Sequence, residues 1–112
     1  MAMKQLDEET AKQIQDLQVL EQNTQNLLIQ KQAFQLELSE TENALEEIKK
    51  SGDEVYKIVG QIMIKARKQE LEKDLKQKKE IIDLRLKSME KQESFLKEQL
   101  TKKRDEIMSK IK

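Results

Sequence analysis

Val55-Tyr56-Lys57-Ile58-Val59-Gly60-Gln61-Ile62-Met63-Ile64-Lys65 is the one stretch of this 112-residue sequence whose pattern is not helical, and its reading decides the fold. Val55, Ile58, Val59, Ile62 and Ile64 are β-branched and Tyr56 is aromatic, the residue types that suit a pleated surface. Gly60-Gln61 sits between the two runs, where a two-residue turn belongs. A type II′ turn needs positive φ at its first central position, which glycine supplies without a Cβ clash. The stretch therefore predicts a β-hairpin over about residues 55–65, with Val59 facing Ile62, Ile58 facing Met63 and Lys57 facing Ile64. Both faces of that ribbon are largely apolar. A two-stranded ribbon is marginal in water and has two open edges, so it requires cover from its own helices and from strands of other chains. Val55, Tyr56, Ile58, Val59, Gly60, Ile62, Met63 and Ile64 are accordingly the candidate oligomerisation residues.

On the N-terminal side, about residues 7–50 read as one helix. Leu17, Leu20, Thr24, Leu27, Lys31, Phe34, Leu38, Thr41, Leu45 and Ile48 follow at steps of three and four, the spacing of an a/d seam, and Met3, Leu6, Thr10 and Gln13 continue it backwards. Lys49 and Lys50 suit the helix C-terminus, and Gly52 is placed to be the left-handed residue that stops it. On the C-terminal side, about residues 67–112 form a second helix carrying Leu71, Leu75, Ile82, Leu86, Met89, Leu96, Leu100, Ile107 and Ile111. Several of these recur at a spacing of eleven, which predicts a shallow supercoil.

The two seams fit each other antiparallel. Ile48 with Leu71, Leu45 with Leu75, Leu38 with Ile82, Phe34 with Leu86 and Leu20 with Leu100 all have numbers that add to a nearly constant value, and the centre of the hairpin turn falls on almost the same axis. Charge agrees: residues 1–50 hold five Lys against ten acids, residues 65–112 sixteen Lys or Arg against ten acids. An acidic helix beside a basic one favours this register, although each exposed pair adds only a few tenths of a kcal/mol. The expected fold is mainly α, a long antiparallel two-helix coiled coil with one central β-hairpin, and residues 1–112 form a single domain.

Composition closes off most chemistry. There is no Cys and no His, which excludes disulfides, thiolate or imidazole metal sites and histidine-based catalysis. Gly52 and Gly60 are the only glycines and neither opens a phosphate-binding loop, so no nucleotide cofactor is expected. The carboxylates are spread along solvated helix faces with no pocket to perturb them, and no enzyme is read from them. No apolar run approaches a membrane span, and the expected setting is the cytoplasm, away from membranes.

A helix, a single hairpin reading Asp53-Glu54-Val55-Tyr56-Lys57-Ile58-Val59-Gly60-Gln61-Ile62-Met63-Ile64-Lys65, and a second helix of equal length resemble the β-type subunits of prefoldin. The likeness covers nearly the whole chain and is carried by Tyr56-Lys57, Gly60 and Ile62-x-Ile64-Lys65, with Gln-rich stretches such as Leu28-Ile29-Gln30-Lys31-Gln32. It is nearer to the archaeal form than to eukaryotic β-type paralogues. The resemblance implies a hexamer of two α-type and four β-type subunits, whose hairpins build a double β-barrel from which six coiled coils hang. It implies an ATP-independent chaperone that captures unfolded client proteins with the coiled-coil tips and passes them to a group II chaperonin.

Seam residues are demanded by any antiparallel coiled coil, so apolar residues outside the seam say more about function. Val19, Ile29, Leu36, Ile81, Leu84 and Phe95 fall off the seam. Met3, Leu6, Ile107, Met108 and Ile111 gather at the end of the coiled coil farthest from the hairpin, and flexible Met side chains suit a surface that accepts many sequences. These five are the candidate client-binding residues. Two other functions fit parts of the sequence. Lys76-Gln77-Lys78-Lys79 and Lys102-Lys103-Arg104 would suit a two-helix arm that grips RNA, but interleaved acids, zero net charge and the lack of a stacking platform tell against nucleic acid. A structural coiled-coil spacer accounts for the helices and leaves the two-faced apolar ribbon without a reason.

Overall fold

A computed structural model of the chain describes residues 7–111. In order, these form α1 (Glu8–Lys50), β1 (Glu54–Val59), β2 (Ile62–Arg67) and α2 (Lys68–Ile111). The ribbon is longer than its apolar pattern by one residue at the start and two at the end, because the ladder continues through Val55 with Ala66 and Glu54 with Arg67. Opposite charges on directly facing residues support such an extension. Among the described residues no helix is long and apolar enough to cross a membrane.

Helix α1 starts at Asp7, whose Oδ1 accepts a 2.6 Å hydrogen bond from the Thr10 backbone N–H, with Glu8 and Glu9 in the first turn. That is an N-cap followed by charges that complement the helix dipole. At the other end the expectation for Gly52 fails: Gly60 is the only described residue at positive φ. The last turn is closed by Ser51 instead. Its hydroxyl donates to the Ile48 carbonyl at 2.8 Å, its N–H reaches the Glu47 carbonyl at 3.0 Å, and the Ser51 carbonyl accepts from Lys68 Nζ, at the start of α2, at 2.8 Å. With these carbonyls satisfied, a left-handed residue is not needed.

The chain packs as two compact units, one made of residues up to Lys31 and from Ser88 onward, the other of Gln32–Lys87. In the first unit Thr10, Thr24, Leu27, Leu100 and Ile107 are buried. Glu9 pairs with Lys110, Asp16 with Lys103, Glu21 with Arg104 and Lys31 with Glu93, so the α2 partner moves back from Lys110 to Glu93 as α1 runs from Glu9 to Lys31, and the helices run antiparallel. In the second unit Thr41, Leu45, Ile48, Val55, Ile82 and Leu86 are buried, and Glu37 faces Lys78 at 3.4 Å. Ile82 is the most enclosed of them, at 2% exposure. The buried threonines stay satisfied because Thr24 and Thr41 donate their hydroxyls to the carbonyls of Leu20 and Glu37, four residues back.

Burial also revises the reading of α2. Lys79, Glu93 and Lys103 are partly buried between the apolar positions. Leu75, Lys79, Ile82, Leu86, Met89, Glu93, Leu96, Leu100, Lys103 and Ile107 therefore form a continuous three-four seam. The spacing of eleven is what remains visible when the three charged members are left out. Lys31 and Glu93 meet at 3.3 Å within this seam, with side chains 18% and 15% exposed, and Glu93 also receives Lys97 at 3.9 Å.

Candidate functional site

The ribbon places its apolar residues where this chain cannot bury them. Pairing follows the sequence expectation residue by residue: Val59 with Ile62, Ile58 with Met63, Lys57 with Ile64, Tyr56 with Lys65. Gly60 has φ +63° and no other described residue has positive φ, so Gln61 does not, which selects a type II′ over a type I′ turn. Direct pairs share a face, hence Val55, Val59, Ile62, Ile64 and Ala66 lie on one side with Lys57, and Tyr56, Ile58 and Met63 on the other with Glu54, Lys65 and Arg67. Val55 is buried at 8% exposure, whereas Ile58 is 71% exposed, and Tyr56, Val59, Ile62, Met63 and Ile64 are exposed as well. The cause is geometric. Val55 is at the root of β1 against the helices, and the later residues project beyond them.

At the root of the ribbon an open cavity of about 450 Å³ has Ile48, Val55, Leu71 and Leu75 among its walls and Tyr56 and Met63 beside them. Each apolar side chain moved from water into an interface contributes about 1.5–3 kcal/mol, so six exposed ribbon residues make a strong drive for association. Two unpaired strand edges supply the hydrogen-bonding groups that a further strand would use.

The second candidate surface is at the helix ends. Met3 and Leu6 lie outside the described residues. Ile107 belongs to the seam, at 6% exposure, while Met108 is 56% exposed and Ile111 is exposed too. The three thus divide into one core residue and two surface residues. Around them Glu9 and Lys110 make a 2.9 Å ion pair, and Gln13 Oε1 is buried without a hydrogen-bond partner among the described residues. A glutamine at a seam position buries less apolar surface than a leucine, so the seam is weaker here than where leucines fill it. Asp7 adds a local electrostatic feature: the Thr10 hydroxyl and then the Thr10 backbone N–H hold its carboxyl below the ordinary value of 3.8, and Lys110 adds to this.

All six off-seam residues, Val19, Ile29, Leu36, Ile81, Leu84 and Phe95, are exposed. Sequence reasoning missed Glu93 as a seam member. A signal was present, since Glu93 continues the three-four steps from Met89 to Leu96 and Lys31 calls for an acid across the seam. Among the described residues no group of His, Cys, Asp or Glu is arranged to hold a metal ion.

Comparison with known proteins gives one answer. A family model described as Prefoldin subunit matches residues 11–112. Prefoldin subunit beta of Archaeoglobus fulgidus is 36% identical over 98 residues, covering 86% of this chain and 84% of the relative. Prefoldin subunit beta of Pyrobaculum neutrophilum is 42% identical over 85 residues, 74% of this chain and 68% of the relative. The crystal structure of the prefoldin beta subunit from Thermococcus strain KS-1 superposes with a TM-score of 0.85 at 34% identity, covering 96% of both chains. With two helices joined by one exposed apolar ribbon, and with relatives matched over most of their length, this chain belongs to the prefoldin family of chaperone subunits, among its β-type members.

Proposed function

We propose that this chain is one arm of an ATP-independent holdase: its ribbon joins α-type prefoldin subunits in a hexamer of two α-type and four β-type chains, and its helix ends touch unfolded clients. The observation that carries this is the division of labour among apolar residues. The seam hides its own, the ribbon exposes six, and the helix ends expose Met108 and Ile111. The ribbon serves assembly because strand edges and apolar faces coincide there. The helix ends serve capture, with Met108 and Ile111 exposed, Met3 and Leu6 as the sequence's further candidates, and Ile107 reached when the ends part.

One arm holds a client only transiently. Two or three side chains, each worth about 2–3 kcal/mol before entropy losses, make a weak contact. Several arms around one cavity raise the effective concentration enough for retention, and weak single contacts still allow stepwise release to a group II chaperonin. This role involves no bond making and is carried out in the cytoplasm.

Two measurements test this. Native mass spectrometry with a co-expressed α-type subunit should give a six-chain assembly, and a monomer under that condition would remove the proposal. The quadruple change Met3→Ser, Leu6→Ser, Met108→Ser and Ile111→Ser should leave assembly mass unchanged and abolish suppression of aggregation of a denatured test protein. Undiminished suppression would move client binding away from the helix ends.

A further inference from the structure

In the unit formed by residues up to Lys31 and from Ser88 onward, a groove of about 330 Å³ runs along the side of the helix pair. Its apolar surface comes from Leu27, Leu96 and Phe95, the last 60% exposed. Asn23, Asn26 and Gln30 of α1 and Gln92 of α2 complete it, all four solvent-exposed. In a chain whose residues are 39% charged, none of the seven lining residues carries a charge. We infer that this groove binds a short extended segment of unfolded polypeptide through its backbone, as a second client contact separate from the helix ends.

The chemistry of the lining selects that occupant. A carboxamide carries the same donor and acceptor set as a peptide group, so four of them can pair with backbone N–H and C=O whatever the sequence. Asn26 Oδ1 is already engaged by Gln22 Nε2 at 3.1 Å, which turns the donor side of Asn26 to an incoming carbonyl. Phe95, Leu27 and Leu96 offer apolar contact to a hydrophobic side chain, and the missing charge leaves no attraction for acidic or basic segments. The helix rises about 10 Å from Asn23 to Gln30, the reach of about three residues of extended chain.

A similar groove in the other unit shows what this one lacks. There Phe34, Ile81 and Ile82 provide the apolar surface, but Glu37 and Lys78 pair at 3.4 Å and the Arg85 guanidinium sits 5.5 Å from the centre of the Phe34 ring. Those polar groups satisfy one another and cover the ring. The carboxamide groove has no charged group to do so.

The occupant's identity as a client rests on the holdase reading, and the test separates the two. The full chain is titrated with a fluorescent, end-capped octapeptide of Leu, Ala and Ser, and with the same peptide N-methylated at alternate backbone nitrogens. The near-isosteric changes Asn23→Asp, Gln30→Glu and Gln92→Glu together remove donors while keeping shape, with helicity checked by circular dichroism. We expect the triple variant to bind roughly tenfold more weakly, the ratio that two hydrogen bonds of ordinary net strength make, and the N-methylated peptide to bind the native chain at a similar loss. Phe95→Ser should weaken binding to the same degree. Equal affinity of the triple variant, equal affinity of the N-methylated peptide, or preferential binding of an uncharged-groove competitor such as oligoadenylate would each overturn the inference. Should Met108→Ser with Ile111→Ser leave aggregation suppression intact while the groove variants lose the peptide, the groove stands and the helix-end reading falls. The reverse pattern removes the groove alone.

Discussion

Within the unit Gln32–Lys87, the paired helices and the ribbon use nearly the same apolar side chains to opposite ends. Ile82 on α2 is 2% exposed and Ile58 on β1 is 71% exposed, although both are isoleucines in well-formed elements of one small unit. The difference lies in what each element presents. A helix has one stripe to cover, and a second helix with the matching seam covers it. A two-stranded ribbon has two faces and two edges, and two helices reach only its root at Val55. The helix pair thus covers its own apolar stripe, while the ribbon leaves six apolar residues exposed. On the proposed function, stability and assembly rest on different residues.

Charging the ribbon should break this contrast most visibly. Val59→Asp or Ile62→Asp puts a carboxylate where assembly would bury it unpaired, at a cost of several kcal/mol at each interface. Sedimentation should show assembly lost, while circular dichroism shows the helices retained. An intact assembly would mean that the ribbon is not the joining element. The converse change is Ile82→Ala, which should lower unfolding stability by about 2–5 kcal/mol, the range for emptying an enclosed aliphatic site, with assembly preserved at temperatures below the transition.

A smaller effect separates the two glycines. Gly60 sits at φ +63°, so Gly60→Ala strains the ribbon turn by about 1–2 kcal/mol although space for the methyl group is free. Gly52 has no such backbone and nothing within 4 Å of an added Cβ, so Gly52→Ala should change stability by less than about 1 kcal/mol, in the stabilising direction. Thermal denaturation of the two variants side by side checks both. A larger loss for Gly52→Ala would reinstate it as a left-handed cap.

These glycines show what the sequence made legible. The hairpin register, its turn type and the antiparallel helix pair could be read because each rests on strict periodicity or on a residue that only one backbone conformation requires. Gly52 was misread because a helix end has several ways to satisfy its carbonyls, and the choice fell to Ser51 and to Lys68, seventeen residues further on. Glu93 was overlooked because a hydrophobicity pattern is blind to charged seam members, which become visible only once Lys31 is seen across from it. At the helix ends, sequence grouped Ile107 with Met108 and Ile111 by position alone. One residue of rotation along a helix, about 100°, separates the buried Ile107 from the exposed Met108. The side groove was not legible at all, since it needs residues of both helices at known spacing.

The smallest expected effect sharpens the helix side of the comparison. If α1 is stabilised by its own cap and not by assembly, its start should respond to acid in the same way whether or not the ribbon is engaged. The Asp7 carboxylate accepts from Thr10, and its pKa is lowered in the folded chain from 3.8. A group with a depressed folded pKa favours folding when ionised. Its contribution is therefore complete above the unfolded value and disappears as pH falls through the lowered folded value. Near neutral pH the cap is fully formed, and titration below about pH 4 should fray the first turn of α1. Asp7→Asn retains a capping oxygen and removes the titration, so amide exchange at Thr10 and Ala11 should lose this acid dependence in the variant and show it in the parent, in the wild-type assembly and in the Val59→Asp chain alike. A dependence seen only in the assembled protein would tie the start of α1 to its partners and undo the separation of stability from assembly.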